Sequence, residues 1–416
     1  MRFIADIEIH SKYARAVSPQ MVLENLASWA DKKGIQVLGT GDFTHPLWFK
    51  DIKEKLEPAE PGLYRLKNSD YKMRFVLSGE ISCVYTKNGR GRRVHHLVYA
   101  PSIEVAEKIN TQLGWLGNLK SDGRPIIGLD SKELLKILLN ASPESVLIPA
   151  HVWTPWFGVF GSKSGFNSLG ECFDELEPQI FAIETGLSSD PPMNWRIPFL
   201  DKKAIMSSSD SHSLHRLGRE ASIFNTEMSY RGIMDALKTR GPEFEGTIEF
   251  FPEEGKYHYD GHLACGVRLT PEETKKNKGL CPSCGRPVTV GVAARIDELA
   301  ALDRPAGFRP GWAKTYHSFV PFDEIIAEAL GVGVQSRAVW KEYEAAVKNL
   351  GSELNLMINV SESDLKSNLP PAVAEGVLRM RQGKVRIEPG YDGEYGKIKI
   401  FDDAERESLA SQKSLF

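Results

Sequence analysis

Nowhere in this sequence does an apolar run approach the roughly twenty residues that a bilayer-spanning helix needs. No basic stretch leading into a short apolar core marks a secretory leader. Cysteine is scarce, with five residues in 416, which excludes a disulfide scaffold and fits a reducing compartment. Neither sign of charge is in excess: 52 Lys and Arg stand against 55 Asp and Glu, for a net charge of −3. That balance excludes wholesale coating of nucleic acid but not a local basic track. A cytoplasmic protein is therefore the expectation. What is present is ordinary in bulk: 41% apolar and 26% charged residues predict a globular chain, and the length predicts two or three domains rather than one core.

The first distinctive stretch is Phe3–His10. Apolar residues alternate with Asp6, Glu8 and His10, so a strand would place those three on one face. Potential ligands on one face predict the floor of a metal site. Asp6 is the less direct member, placed to orient a ligand from behind.

The pattern continues along the chain. Ser18-Pro19 predicts a helix start, Val22, Leu23, Leu26, Trp29 and Ala30 share a helical face, and Gly34 ends it. The strand Ile35–Gly39 runs into Asp42 and His45. Phe75–Leu77 runs into Glu80, and Val94–Tyr99 carries His95 and His96. A helix is predicted near 102–114, Val146–Ala150 ends at His151, and Ile180–Ile183 ends at Glu184. Ala204–Met206 leads to Asp210-Ser211-His212. Each of these residues alone has an ordinary explanation as a cap, a surface ion pair or a packed histidine. Their recurrence at strand ends is what an active-site rim of a β/α barrel produces. Imidazole and carboxylate without thiolate suit Zn²⁺, Mn²⁺ or Fe²⁺, and Mg²⁺ where water completes the shell. A carboxylate such as Glu80 can bridge two ions about 3.5–4 Å apart, the geometry of two-metal phosphoryl displacement.

Residues 1–245 resemble the polymerase-and-histidinol-phosphatase (PHP) domain, a distorted seven-stranded β/α barrel that typically binds three metals. Glu8-Ile9-His10 stands where that family has His-x-His, and the anionic Glu8 favours a harder ion. Asp42 and His45 correspond to the second motif, at a wider spacing. The resemblance implies Glu80 as bridging carboxylate, His96 (or His95) and His151 on a second ion, and Asp210 and His212 as the closing pair. Asp210, His212, Glu80 and His10 are the expected catalytic centre.

Residues 246–295 hold the other three cysteines. Cys281-Pro282-Ser283-Cys284-Gly285 is a C-x-x-C-G knuckle, and His262-Leu263-Ala264-Cys265-Gly266 repeats the spacing. His262, Cys265, Cys281 and Cys284 predict a closed Cys₃His zinc ribbon that folds the chain rather than catalysing; His258 is the alternative fourth ligand. Residues 296–403 read as mainly helical, with helices at Phe322–Leu330 and Val339–Leu350 around Gly331-Val332-Gly333 and a basic stretch at Arg379, Arg381, Lys384 and Arg386. This is the expected C-terminal DNA-binding domain. Residues 404–416 form a polar tail ending in Gln412, Leu415 and Phe416, which resembles a bacterial sliding-clamp-binding peptide.

A PHP barrel, a ribbon and a helical C-terminal region in this order resemble the endonuclease Q family across essentially the whole length. The resemblance implies a DNA repair hydrolase that cuts 5′ to deaminated bases (uracil, hypoxanthine, xanthine) or abasic sites, leaving 3′-hydroxyl and 5′-phosphate ends. It implies structural Zn²⁺, Zn²⁺ in the active site with Mg²⁺ or Mn²⁺ for activity, a DNA partner and a place at the nucleoid. A deaminated base must leave the stack to be read. The stretch from His151 to Asn167 offers Trp153, Trp156, Phe166 and Lys163 for that pocket, and Arg92 and Arg93 could guide phosphates. The competing expectations are a PHP phosphatase of a small phosphomonoester and a metal-stabilised DNA-binding or clamp-adaptor protein whose barrel is inactive.

Overall fold

The computed structural model describes residues 1–402 and Glu405. The chain is mixed α/β with a mainly helical C-terminal region. Its first strand, Arg2–Asp6, lies between Val37–Gly39, to which it is parallel, and Ala221–Asn225, to which it is antiparallel. The sheet continues on one side through the parallel strand Arg74–Val76 and on the other through Phe244–Glu249. The helix Leu23–Lys33 joins the first two strands in a βαβ unit, which puts ligand-bearing loops past the strand ends.

A second sheet is built on one long hairpin, Ser78–Lys87 with Arg90–Tyr99. Its turn residues Asn88 and Gly89 both have positive φ, 54° and 72°, as a two-residue type I′ connection requires. Val146–Pro149 pairs with the hairpin's outer strand, and a separate parallel pair joins Ala182–Glu184 to Ala204–Met206. These antiparallel elements depart from a uniform strand–helix repeat. They bring Glu80, His95 and His151 to the same end as Glu8, His10 and Asp210. A parallel bridge between Ile9 and Ser211 ties the two ends of the region together.

Helix formation departs from expectation at one point. Ser18-Pro19 is not a cap: the first helix starts at Leu23, with Val22 before it and no side chain capping its N–H groups. Ser18 instead accepts at its carbonyl from Met21 N, in a turn that delays the helix. Its end is as expected, at Gly34 with φ 84°.

Phe244–Glu249 runs across residue 245 as a strand of the main sheet, and Thr315–Ser318 pairs in parallel with it. The polypeptide between them carries the hairpin Asp260–His262/Val267–Leu269, the Cys281–Gly285 knuckle and the helix Val292–Leu299. Five helices follow, Phe322–Leu330, Arg337–Leu350, Glu353–Ile358, Glu362–Asn368 and Pro371–Arg381. They pack on the first helix. Trp29 meets Trp340 edge-on, with ring centroids 5.8 Å apart, and Lys33 forms a buried ion pair with Glu353 at 2.5 Å. The basic stretch is partly structural: Arg381 donates to the carbonyls of Leu356, Met357 and Val360, and Arg379 pairs with Glu375 and Glu405. No helix among the described residues is long and apolar enough to cross a membrane. Gln412, Leu415 and Phe416 lie outside the described residues.

Candidate metal centre

Glu8, His10, Glu80 and Asp210 converge so that one ligand atom from each lies within 4.8 Å of the others; His10, Asp210 and His212 form an overlapping set. A second set is Glu80, His95 and His151. Glu80 belongs to both sets through different oxygens. Its Oε2 lies 3.1 Å from His10 Nε2, and its Oε1 lies 2.7 Å from His95 Nδ1 and 3.1 Å from His151 Nε2. A bridging carboxylate between two cations has this disposition.

The imidazoles are aimed. His10 Nδ1 donates to Asp42 Oδ1 at 2.9 Å, since a carboxylate offers only acceptors, and Nε2 is left facing the cluster. Thr154 Oγ1 donates to the His151 carbonyl at 3.0 Å and is therefore free to accept from His151 Nδ1 at 2.9 Å. That leaves His151 Nε2 with its lone pair toward Glu80. Backing of a ligand imidazole by a second polar group is the usual support of a metal site.

Several acid oxygens at the cluster lack donors. Both carboxylate oxygens of Glu8, Oδ1 of Asp210 and Oε1 of Glu184 are buried without a hydrogen-bond donor. Glu184 anchors its other oxygen on His151 N at 2.9 Å. Burial, reinforced by Asp210, holds the Glu8 carboxyl well above the ordinary range, and burial does the same to Glu184. Burial also pushes Glu80 up, but Arg124, His95, His10 and His151 outweigh it and hold Glu80 well below its ordinary value. Burial, helped by the nearby His151 and Arg124 charges, lowers His95 to about 4 against the pull of Glu80, which leaves a neutral imidazole suited to ligation. Several buried acids facing one space, with the neutral His95 imidazole beside them, fit divalent cations.

The backbone pays attention to the same points. Asp42, His151 and Asp210 all adopt positive φ, 45°, 29° and 46°. Residues held in that region are over-determined by their surroundings, and such positions gather at functional sites. Asp6 sits behind the closing pair. Its carboxylate accepts from Ser209 N and Gly218 N, both at 2.9 Å, and so brackets the segment that presents Asp210 and His212.

Several expectations are corrected. His96 does not face the cluster: its Nε2 meets Ser131 Oγ at 2.7 Å and its ring packs near Phe173. The reason is register. Glu80 pairs with Leu97 and Ser82 with His95, so Glu80 and His95 share a face, whereas Ile81 pairs with His96 on the other. Asp42 is not among the converging groups, because His10 and Ser11 occupy its carboxylate. His45 stacks on Tyr13, with centroids 4.4 Å apart, and joins neither set. Trp153 is buried against Phe160 and donates to Asn194 Oδ1 at 2.7 Å; it is core. Phe166 is buried beneath the Arg92 guanidinium, which itself is buried and donates to the Gly165 carbonyl. Neither Phe166 nor Arg92 reaches solvent. Trp156 is 47% exposed with Arg93 over its ring, and Lys163 is exposed.

The loop containing these residues is held from the far side of the chain. Arg295 donates to the carbonyls of Phe160 and Phe166 and to Asn167 Oδ1. Beside it a cleft of about 730 Å³ opens, lined by Thr154, Trp156, Arg219, Phe250, Tyr257 and Tyr395 among others. It borders the metal centre, since Thr154 supports His151 and Arg219 donates to the Ser209 carbonyl at 2.9 Å. Arg124, Arg219 and this cleft were outside the expected site, and Glu184, expected on the rim, had no assigned role. Glu184 at its strand end had the same signal as its neighbours; the two arginines come from loops without any motif.

The ribbon ligands meet as spaced. His262, Cys265, Cys281 and Cys284 bring one donor atom each within 4.8 Å of one another. Gly266 and Gly285 take positive φ, 63° and 73°, to turn each knuckle, and Gly285 N donates to the Cys281 carbonyl. Three thiols and one imidazole at this spacing suit a structural zinc. His258 is buried elsewhere, against Tyr259.

Comparison with known proteins agrees with this layout. Residues 321–384 match the MJ0043 C-terminal domain family. Protein MJ0043 of Methanocaldococcus jannaschii is 34% identical over 256 residues, 59% of this chain; the match spans 31% of that longer protein. YqxK of Bacillus subtilis is 29% identical over 388 residues, 90% of this chain and 91% of that one. Among solved structures, the lesion-specific endonuclease PfuEndoQ from Pyrococcus furiosus superposes with a TM-score of 0.84 at 28% identity, over 98% of this chain and 99% of that one. Endonuclease Q in complex with a 27-mer duplex carrying an abasic lesion at the active site gives 0.83 at 29% identity, over 97% and 98%.

Proposed function

We propose that this chain, which is endonuclease Q-like in structure over 98% of its length, is a metal-dependent DNA repair endonuclease. It hydrolyses the phosphodiester bond 5′ to a deaminated base or an abasic site and leaves 3′-hydroxyl and 5′-phosphate ends. The observation that carries the reading is Glu80, whose two oxygens face two separate ligand sets beside an open cleft. Glu8, His10, Glu80 and Asp210 on one side and Glu80, His95 and His151 on the other would hold divalent ions, which would supply Lewis-acid charge for activating water and stabilising the leaving oxygen. His10, fixed by Asp42, and His151, fixed by Thr154, keep their free nitrogens on that space. Asp210 and His212 close it from the segment that follows the strand Ala204–Met206.

The nucleotide that leaves the duplex takes the cleft rather than the interior of the 151–167 loop. Its aromatic walls at Trp156, Phe250, Tyr257 and Tyr395 suit a base face, and Arg219 suits a phosphate. Arg93 and Lys163 stand exposed on the approach. The tail residues Gln412, Leu415 and Phe416 would tether the enzyme to a sliding clamp, which would bring it to newly copied DNA at the nucleoid.

The test is a duplex with one uracil, incubated with the chain and Mn²⁺ or Mg²⁺. A nick 5′ to uracil, abolished by Asp210→Asn, is expected. Phosphate release from a small phosphomonoester without any nick would replace this reading with a phosphatase.

A further inference from the structure

The resemblance to PHP domains brings with it an expectation of three active-site ions. Two ligand sets account for two of them. The corner that would serve a third is filled by the chain itself. His45 is alone there, and Asp42 is committed to His10 and Ser11. The segment 118–124 lies across both residues. Gly123 N donates to the Tyr13 carbonyl at 3.0 Å, and Thr44 Oγ1 donates to the Gly123 carbonyl at 3.4 Å. Gly123 approaches so closely that a Cβ there would stand 2.4 Å from Asp42 Oδ2 and 2.9 Å from Ala14 Cβ. Only glycine lets the segment pass at this distance.

The next residue puts a cation into the cluster. Arg124 Nη1 lies 2.9 Å from Glu80 Oε2, the same oxygen that faces His10 Nε2. Its side chain is 27% exposed, and Asp210 and Glu8 also act on its charge. A guanidinium is a permanent cation with several fixed donors, so it offsets buried carboxylates without a coordination shell.

We propose that Arg124, carried over the Asp42–His45 corner by the segment 118–124, takes the place of a third metal ion, so that this active site holds two ions and one guanidinium. One donor holds Glu80. The remaining donors stay available to a non-bridging oxygen of the substrate phosphate, where a third ion would otherwise bind. The inference rests on the metal-site reading of the cluster but not on DNA cleavage.

Native mass spectrometry of the full chain after equilibration with Zn²⁺ tests it without any substrate. Wild type is expected to hold two ions at the cluster and one at the ribbon, and Cys281→Ser with Cys284→Ser to lose the ribbon ion alone. Arg124→Lys keeps a cation and is expected to keep the wild-type count, whereas Arg124→Ala uncovers Glu80 Oε2 and is expected to take up one ion more beside it. A wild type that binds three ions besides the ribbon ion overturns the proposal, whether or not the variants fold. So does a folded Arg124→Ala with the wild-type count. If the wild-type count is as expected but no uracil nick is found, the substrate reading fails and this one stands.

Discussion

His10 and Asp42 are joined by a hydrogen bond of 2.9 Å between Nδ1 and Oδ1, with both side chains fully buried. Asp42 therefore acts on the metal centre through His10. Asp42→Asn is expected to weaken metal binding by about 10–100-fold without removing a ligand, as loss of a supporting carboxylate does. Titration of the metal-free chain with Mn²⁺ followed by calorimetry would measure it. An unchanged affinity would show that the contact does not aim the ring.

The neighbours His95 and His96 separate ligation from packing. His95→Ala removes a donor from the set around Glu80 Oε1 and should abolish nicking. His96→Ala removes the partner of Ser131 in a buried contact and should cost about 1–3 kcal/mol of stability. It should leave the metal count intact. Denaturant melts and metal analysis on both variants make the comparison, and the opposite pattern would reverse the assignment.

Trp156 and Phe166 separate in the same way. Trp156→Ala alters an exposed ring under Arg93 and should raise the KM for uracil-containing duplex with little change in melting temperature. Phe166→Ala empties a buried site beneath Arg92 and should cost about 3–5 kcal/mol. Binding to a fluorescent duplex and thermal melts distinguish the two effects. Equal melts for both variants would place Trp156 in the core as well.

His258 gives the chain a pH dependence away from the metal centre. Burial lowers its imidazole to about 4 from an ordinary 6.5. The unfolded chain then binds the extra proton first, so stability is lost as pH falls from about 6.5 toward about 4. His258→Gln should reduce that slope, read as the difference between the two melting-temperature profiles. Parallel profiles would mean that folding does not shift the His258 imidazole.

By itself the sequence determined the chemistry on offer. Acids and imidazoles at successive strand ends, from Glu8 to His212, named the type of site. Four donors in two C-x-x-C-like knuckles named the ribbon, because there the spacing is the geometry. The choice of His95 over His96 was also legible in principle. The Asn88-Gly89 turn fixes the hairpin register, and register assigns Glu80 and His95 to one face.

Only the tertiary structure decided which of the offered groups do what. Asp42 supports a ligand because His10, distant in sequence, arrives beside it. His45 is buried against Tyr13, and Gly123 passes so close to Asp42 that a Cβ there would meet its carboxylate. Arg124 enters the cluster from a loop that carries no motif, and Trp153 and Phe166 go inward because the elements around Asn194 and Arg295 close over them. Local spacing sets which donors a strand presents. Packing of remote segments sets which of those donors remain uncovered, and no short-range pattern contains that information.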